Sequence, residues 1–209
     1  MSNVIITIGR ELGSGGRTIG KEVARRLGIE YYDRQIIDDA AKISGLSAEY
    51  IQKSEDNLTG SLLFSLVMNT PYGSSYFEKS RETLPLDTQI FLAQQEAIVN
   101  LAENNSCVIV GRCADYILKD KNKLLRCFIY APLKDRVRRA VNEYGAAKDG
   151  AERMIRQMDK KRGNRYNAYT DEIWGARANY DLMINSASLG IMGACDLRQH
   201  RTKVLQIVE

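Results

Sequence analysis

The sequence predicts an α/β domain built on a parallel sheet, on three observations. Short apolar runs without polar alternation recur along the chain, as expected of strands covered on both faces. Stretches of helical period separate them. A glycine cluster, in the segment IITIGRELGSGGRTIGK, stands between the first run and the first helical stretch. A β-α-β-α rhythm of this kind favours right-handed crossovers in one sheet.

The elements follow in order. Val4–Ile8 is the first strand. Ile19, Val23 and Leu27 then recur every four residues, and Gly28 supplies a helix stop. Glu30–Tyr32 is a weaker strand candidate. Residues 57–86 hold two of the three prolines and a Ser/Gly-rich centre, so they read as an inserted helical segment. Asp87 is a candidate N-cap for a long helix burying Ile90, Phe91, Ala97, Ile98 and Leu101 and fraying at Asn104-Asn105. Cys107–Val110 and Leu125–Tyr130 are strands, and Pro132 opens the next helix at a position where its missing N–H costs nothing. Residues 148–170 are basic and helical in pattern as far as Gly163, and Leu182–Ile184 is the last strand.

Composition narrows the function. The 209 residues suit one domain, 44% are apolar and 27% charged, which excludes a disordered chain. A net charge of +4 admits an anionic ligand but lacks the dense basic stripe of a nucleic-acid-coating protein, so no nucleic-acid partner is expected. The four cysteines form no CxxC pair, and the chain shows neither a signal pattern nor a spanning apolar run; a reducing, cytoplasmic location and no membrane partner are expected. His200, the single histidine, lies in a polar stretch, which excludes His-clustered metal sites and disfavours a Ser-His-Asp triad.

The glycine cluster reads as a phosphate-binding loop in one of two registers. In such a loop, successive backbone N–H groups converge on phosphate at a helix N-terminus, a lysine reaches the β/γ-phosphates and a Ser/Thr hydroxyl binds Mg²⁺. A literal match from Gly15 to Lys21 is followed by Glu22 rather than a hydroxyl, and places Lys21 within the helix proper. The preferred register sets Gly16-Arg17-Thr18 where Gly-Lys-Ser/Thr belongs. Gly13, Ser14, Gly15 and Gly16 then form the cradle, Arg17 replaces the lysine, Thr18 offers the Mg²⁺ hydroxyl, and Glu11 stands at the leading glycine. Arginine keeps the charge, but its larger fork makes the swap non-conservative. The bland alternative is a glycine-rich turn with no ligand.

With these landmarks the sequence resembles the cytidylate kinase-like family of P-loop nucleoside monophosphate kinases. The resemblance rests on ITIGRELGSGGRT, RRLGIEYYDRQII, VIVGRCADYIL, RQMDKKRGNR and YDLMINSASLG, in that order and spacing. It implies a three-layer P-loop NTPase fold with a five-stranded parallel sheet, as one domain over 1–209. It also implies an acceptor-binding insertion at about 34–86 and an arginine-rich lid at about 148–170. ATP with Mg²⁺ would be the donor and a nucleoside monophosphate the acceptor, nominally CMP.

Residue by residue, the resemblance assigns Asp33 to the acceptor pocket. Arg34, with Gln35, replaces an expected Ser-Gly there, and Asp39 falls where a phosphate-binding arginine is expected. Arg112 matches an arginine that contacts the acceptor phosphate, followed by Cys113 in place of aspartate. Arg165 matches a lid arginine that holds the transferring phosphate, and Arg162 replaces a ribose-binding aspartate. Arg17, Arg112, Arg162 and Arg165 are therefore the candidate catalytic residues, and Asp33, Arg34 and Arg112 the candidate acceptor contacts. Bland readings stand beside them. Asp33 could cap the helix starting at Arg34, Arg112 could form a surface salt bridge, and Arg156, Lys160, Lys161, Arg162 and Arg165 could be a solvated helix face. No carboxylate for Mg²⁺ is assigned, with Asp33 and Asp115 as candidates. The lost acceptor contacts leave open a P-loop kinase with a non-pyrimidine acceptor, and Glu11, Arg17 and Cys113 leave open a nucleotide-binding protein without catalysis.

Overall fold

The computed structural model describes residues 3–57 and 84–196. Five parallel strands form one sheet: β1 (Ile5–Arg10), β2 (Glu30–Tyr32), β3 (Cys107–Val110), β4 (Leu124–Tyr130) and β5 (Leu182–Asn185), in the order β2-β3-β1-β4-β5. β1 is central, with Ile5 opposite both Cys107 and Leu124. The helices are α1 (Gly16–Leu27), α2 (Gln35–Ser44), α3 (Ala48–Asn57), α4 (Leu86–Asn104), α5 (Ala114–Ile117), α6 (Leu133–Tyr144), α7 (Ala151–Tyr169) and α8 (Ser186–Ala194). Strand alternation decides the layers. Ile6, Ile8, Val108, Val110, Leu125, Cys127 and Ile129 face α1 and α8, whereas Ile5, Cys107 and Ile109 pack with Tyr32, Ile36, Ala97 and Ile98 on the other side. The result is the expected three-layer α/β architecture.

Several local expectations are corrected. The N-cap of α4 is Pro85, and Asp87 lies inside the first turn. Pro132 is itself the N-cap of α6 rather than its first helical residue. α7 runs through Gly163 to Tyr169, because burial of Arg165, Tyr166 and Tyr169 beyond the glycine outweighs its low helix propensity. Gly163 also faces Trp174, where an added Cβ would stand 3.6 Å from the ring. Asp33 does not cap α2, whose N-cap is Arg34. Gly28 ends α1 in the left-handed conformation as read, and its N–H bonds the Ala24 carbonyl. Most of the 57–86 insertion, and His200, lie outside the described residues. Among the described residues no helix is long and apolar enough to cross a membrane.

The strand ends place the site. Arg10, Asp33, Gly111-Arg112, Ala131 and Ser186 follow or finish the five strands at their carboxyl edge, where open α/β sheets bind ligands. Helix α7 is packed against α4 by stacking of Phe91 on Tyr169, with ring centroids 4.2 Å apart.

Candidate active site

The glycine loop is a rigid cradle, and its outward-facing carbonyls make it so. The Leu12 carbonyl accepts from Arg136 Nη1 (3.3 Å), the Gly13 carbonyl from Arg139 Nη1 (2.7 Å), and the Ser14 carbonyl from the buried Ser186 hydroxyl (2.6 Å). With these carbonyls engaged, and the Ser14 N–H bonded to the Glu11 carbonyl (3.3 Å), the turn is fastened on both sides. Gly13 (φ +79°) and Gly15 (φ +84°) take the left-handed turns this requires, and a Cβ at Gly13 would stand 2.7 Å from the Arg136 carbonyl oxygen. The first intrahelical bond of α1 runs from Ile19 N–H to the Gly15 carbonyl (2.9 Å), so the N–H groups of Gly16, Arg17 and Thr18 have no intrahelical acceptor. They open on a cavity of about 250 Å³ lined by Gly13, Gly15, Gly16, Arg17 and Thr18. This is the geometry that binds anions.

Glu11 has a fastening role. Its carboxylate accepts from the Ala131 N–H (3.1 Å) and pairs with Arg136 (3.3 Å). Burial raises its pKa, opposed by those two partners. From the lid, Asp159 Oδ1 accepts from the Leu12 N–H (2.7 Å), and its Oδ2 accepts from Arg136 Nη1. Lys21 lies outside the cavity, over the Tyr31 ring.

Beside the loop, a smaller cavity of about 60 Å³ is lined by Arg112, Arg162, Arg165, Asp115, Tyr166 and Trp174 among others. The two cavities share Arg10 and Arg162. Gly111, Arg112 and Cys113 all carry positive φ, at 76°, 55° and 57°. Two successive non-glycine residues in this region store strain of about 1–3 kcal/mol each, a pattern concentrated at functional sites. The turn drives Arg112 inward, where its side chain is only 8% exposed. Its Nη1 donates to the Asp33 carbonyl (2.8 Å) and to Asp33 Oδ1 (3.0 Å), while Nε and Nη2 grip both oxygens of Glu55 (2.7 and 3.2 Å). Arg17 Nε pairs with the second oxygen of Asp33 at 2.7 Å, its own side chain 64% exposed. Burial pushes the Asp33 and Glu55 carboxyls up, but Arg112, with Arg17 beside Asp33 and Arg165 beside Glu55, outweighs it and holds both below their usual range.

Arg112, Arg162 and Arg165 line the smaller cavity and Arg17 the loop cavity, while Arg156 is exposed on Glu152 and Lys160 and Lys161 face outward. Arg165 donates to Gln94 Oε1 and lies 3.8 Å from Glu55. Arg162 Nη1 donates to the Arg10 carbonyl (3.2 Å). Arg34 is not brought in: it stands exposed at the start of α2, outside both cavities. Glu55, Arg10 and Asp159 were not singled out from sequence. Of these only Arg10 carried a signal there, as a charge ending a buried strand at the ligand edge.

For a divalent cation, Thr18 lines the loop cavity, whereas the Ser14 hydroxyl is spent on the Glu11 carbonyl (2.8 Å). Neither candidate carboxylate is open: Asp33 is held by two arginines, and buried Asp115 accepts from the Tyr166 hydroxyl (2.8 Å). The chain fits a cation that arrives on its phosphate ligand better than one held by protein carboxylates.

Comparison with known proteins identifies the family. Residues 5–188 match the profile of the cytidylate kinase-like family. The chain is 28% identical over 189 residues to the cytidylate kinase of Thermococcus kodakarensis, covering 90% of this chain and 81% of that protein. An uncharacterized protein from Eubacterium ventriosum superposes with a TM-score of 0.69 at 26% identity, covering 95% of this chain and 98% of the other. Shikimate kinase from Bacteroides thetaiotaomicron shares the fold, with a TM-score of 0.54 at 14% identity and coverage of 97% and 98%. A glycine loop at the end of β1, an inward arginine after β3 and two arginines of α7 thus coincide with a match over nearly the whole length, and the chain belongs to the cytidylate kinase-like family.

Proposed function

We propose that the protein transfers the γ-phosphoryl group of ATP to a small phosphorylated acceptor, nominally CMP. The observation that carries this reading is the pair of adjoining cavities: an amide-lined one at the loop and a smaller arginine-lined one, sharing Arg10 and Arg162. The amides of Gly13 and of Gly15 to Thr18, with the Arg17 side chain, hold the donor phosphates. The Thr18 hydroxyl would be the protein contact for Mg²⁺ arriving with ATP, which when bound would neutralise part of the triphosphate charge. Arg112 and Asp33 set the acceptor, while Arg162 and Arg165 close over the transferring group.

In the step itself an ionised acceptor phosphate oxygen forms a bond to the γ-phosphorus. The bond from that phosphorus to the β–γ bridging oxygen breaks, and ADP leaves with the electron pair. No proton has to move, so positioning and charge neutralisation carry the reaction. The closed lid keeps water from taking the acceptor's place.

Arg34 and Asp39 lie outside both cavities, which favours a second reading in which the acceptor is not a pyrimidine nucleotide. The test is ADP formation by purified protein with MgATP and a panel of monophosphates and other hydroxyl or phosphate acceptors. Turnover with CMP supports the first reading, turnover with another acceptor the second, and ATP binding without turnover on any acceptor contradicts both.

A further inference from the structure

Among the described residues, Arg10 is the one arginine of the cluster whose guanidinium has no hydrogen bond or ion pair. It ends β1, its side chain passes over Gly16, and its guanidinium abuts Gly111 at the end of β3. Both glycines are needed for this path: a Cβ at Gly16 would stand 2.6 Å from Arg10 Cβ, and one at Gly111 would overlap the guanidinium. Arg17, Arg112, Arg162 and Arg165 each have a carboxylate within 4 Å. Among the described residues no hydrogen bond or ion pair engages the Arg10 guanidinium, and its Nε is buried with no partner. Burial first, then repulsion from Arg162 and against some attraction from Asp33, pulls its pKa down to about 9. A half-buried cation with an unsatisfied Nε costs stability, and this one lies where the two cavities meet.

We infer that Arg10 is a phosphate-binding residue, the fixed cation that meets the donor's terminal phosphate between the loop and the acceptor cavity. The inference rests on the phosphoryl-transfer reading but concerns a residue that reading does not require. The spacing explains the exchange. Arg10-x-x-x-x-Gly15 is the G-x-x-x-x-G interval of a phosphate-binding loop, with Arg10 in the first glycine's place and Gly16 in the lysine's. That sets the motif one residue earlier than the Gly16-Arg17-Thr18 register. Arg10 thus adds a cation at the strand end to Arg17 at the helix start, and Gly16 is bare because the Arg10 stem crosses it.

The test measures, by calorimetry, binding of inorganic pyrophosphate and of MgATP to wild type and Arg10→Met, with the melting temperature of each. Loss of a charge-assisted contact predicts that Arg10→Met binds pyrophosphate at least about tenfold more weakly. Because the half-buried charge has no counter-ion among the described residues, the variant is also expected to melt higher than wild type. A structural arginine would lower both. Binding within twofold of wild type, or a lowered melting temperature, overturns the inference. Arg10→Gln is read against the same two results if Arg10→Met does not fold. Wild-type protein that binds pyrophosphate through Arg10 but never MgATP would remove the kinase reading and leave Arg10 standing. MgATP binding and turnover indifferent to Arg10 would do the reverse, and no binding of either anion would remove both.

Discussion

Asp159 fastens the lid helix to the phosphate loop, and replacing it gives a worked prediction. One carboxylate oxygen accepts from the Leu12 N–H at 2.7 Å and the other pairs with Arg136, at side-chain exposures of 14% and 10%. In Asp159→Ala the Leu12 N–H loses its acceptor, at about 1–3 kcal/mol. Removing one partner of a buried pair costs about 3–5 kcal/mol when the other charge is orphaned. Arg136 is not orphaned, because Glu11 (3.3 Å) and the Ala131 carbonyl (3.0 Å) remain. The two losses together are therefore placed near the lower bound, about 3 kcal/mol. For a chain of this size that corresponds to a fall in Tm of about 6–12 °C. Asp159→Asn keeps an acceptor for Leu12 and loses only the charge, so about half that change is expected. Urea denaturation with an unchanged m-value, alongside thermal melts, reads both variants. Equal effects of Asn and Ala, or an Ala variant within about 0.5 kcal/mol of wild type, would refute the fastening role.

Three further outcomes follow from the same geometry. Gly111→Ala and Gly28→Ala meet similar left-handed strain, at φ +76° and +65°, but only Gly111 has an obstacle in the space beside it. Gly28→Ala should cost about 1–2 kcal/mol in melts and leave turnover intact, while Gly111→Ala, which must displace Arg10, should abolish turnover; comparable activity in the two would contradict the packing. Glu55 titrates below its usual range in the folded protein because Arg112 and Arg165 overcome its burial. The stability its charge provides is complete above the unfolded carboxylate pKa and is lost as pH falls through the lower folded value. Glu55→Gln should therefore flatten the acid slope of stability between about pH 5 and pH 3, and an unaltered slope would count against the network. Burial pushes the Cys107, Cys113 and Cys127 thiols up to about 12 and raises Cys195 as well. All four should resist alkylation in native protein at pH 8 and react once it is unfolded in urea, and rapid native labelling would contradict their burial.

What was legible in the sequence was whatever one stretch of chain decides for itself. β2 and β3 match their expected limits, and the remaining strands differ by one or two residues at their ends, because runs such as CVIV are apolar on both faces wherever they sit. The glycine loop announced itself through spacing. Gly163 misled because a helix-breaking propensity of about 1 kcal/mol was outweighed by packing of residues beyond it on the α4 face. Glu55 was invisible for a different reason: its partner Arg112 is 57 residues away, and an acid on a polar helix carries no mark of such a pairing. Arg34, which replaces an expected serine in the family pattern, stands exposed outside both cavities, a direction its place in the sequence does not fix.

The central claim is that the loop and the arginine cluster hold ATP and an acceptor for direct transfer between them. The most direct test is a single turnover with excess enzyme, γ-labelled MgATP and CMP, followed by identification of the labelled product. The account predicts label in CDP, formed in step with ADP and without a burst of free phosphate. Label that stays in ATP, or appears only as inorganic phosphate, with CMP and with every other acceptor tried, would contradict it.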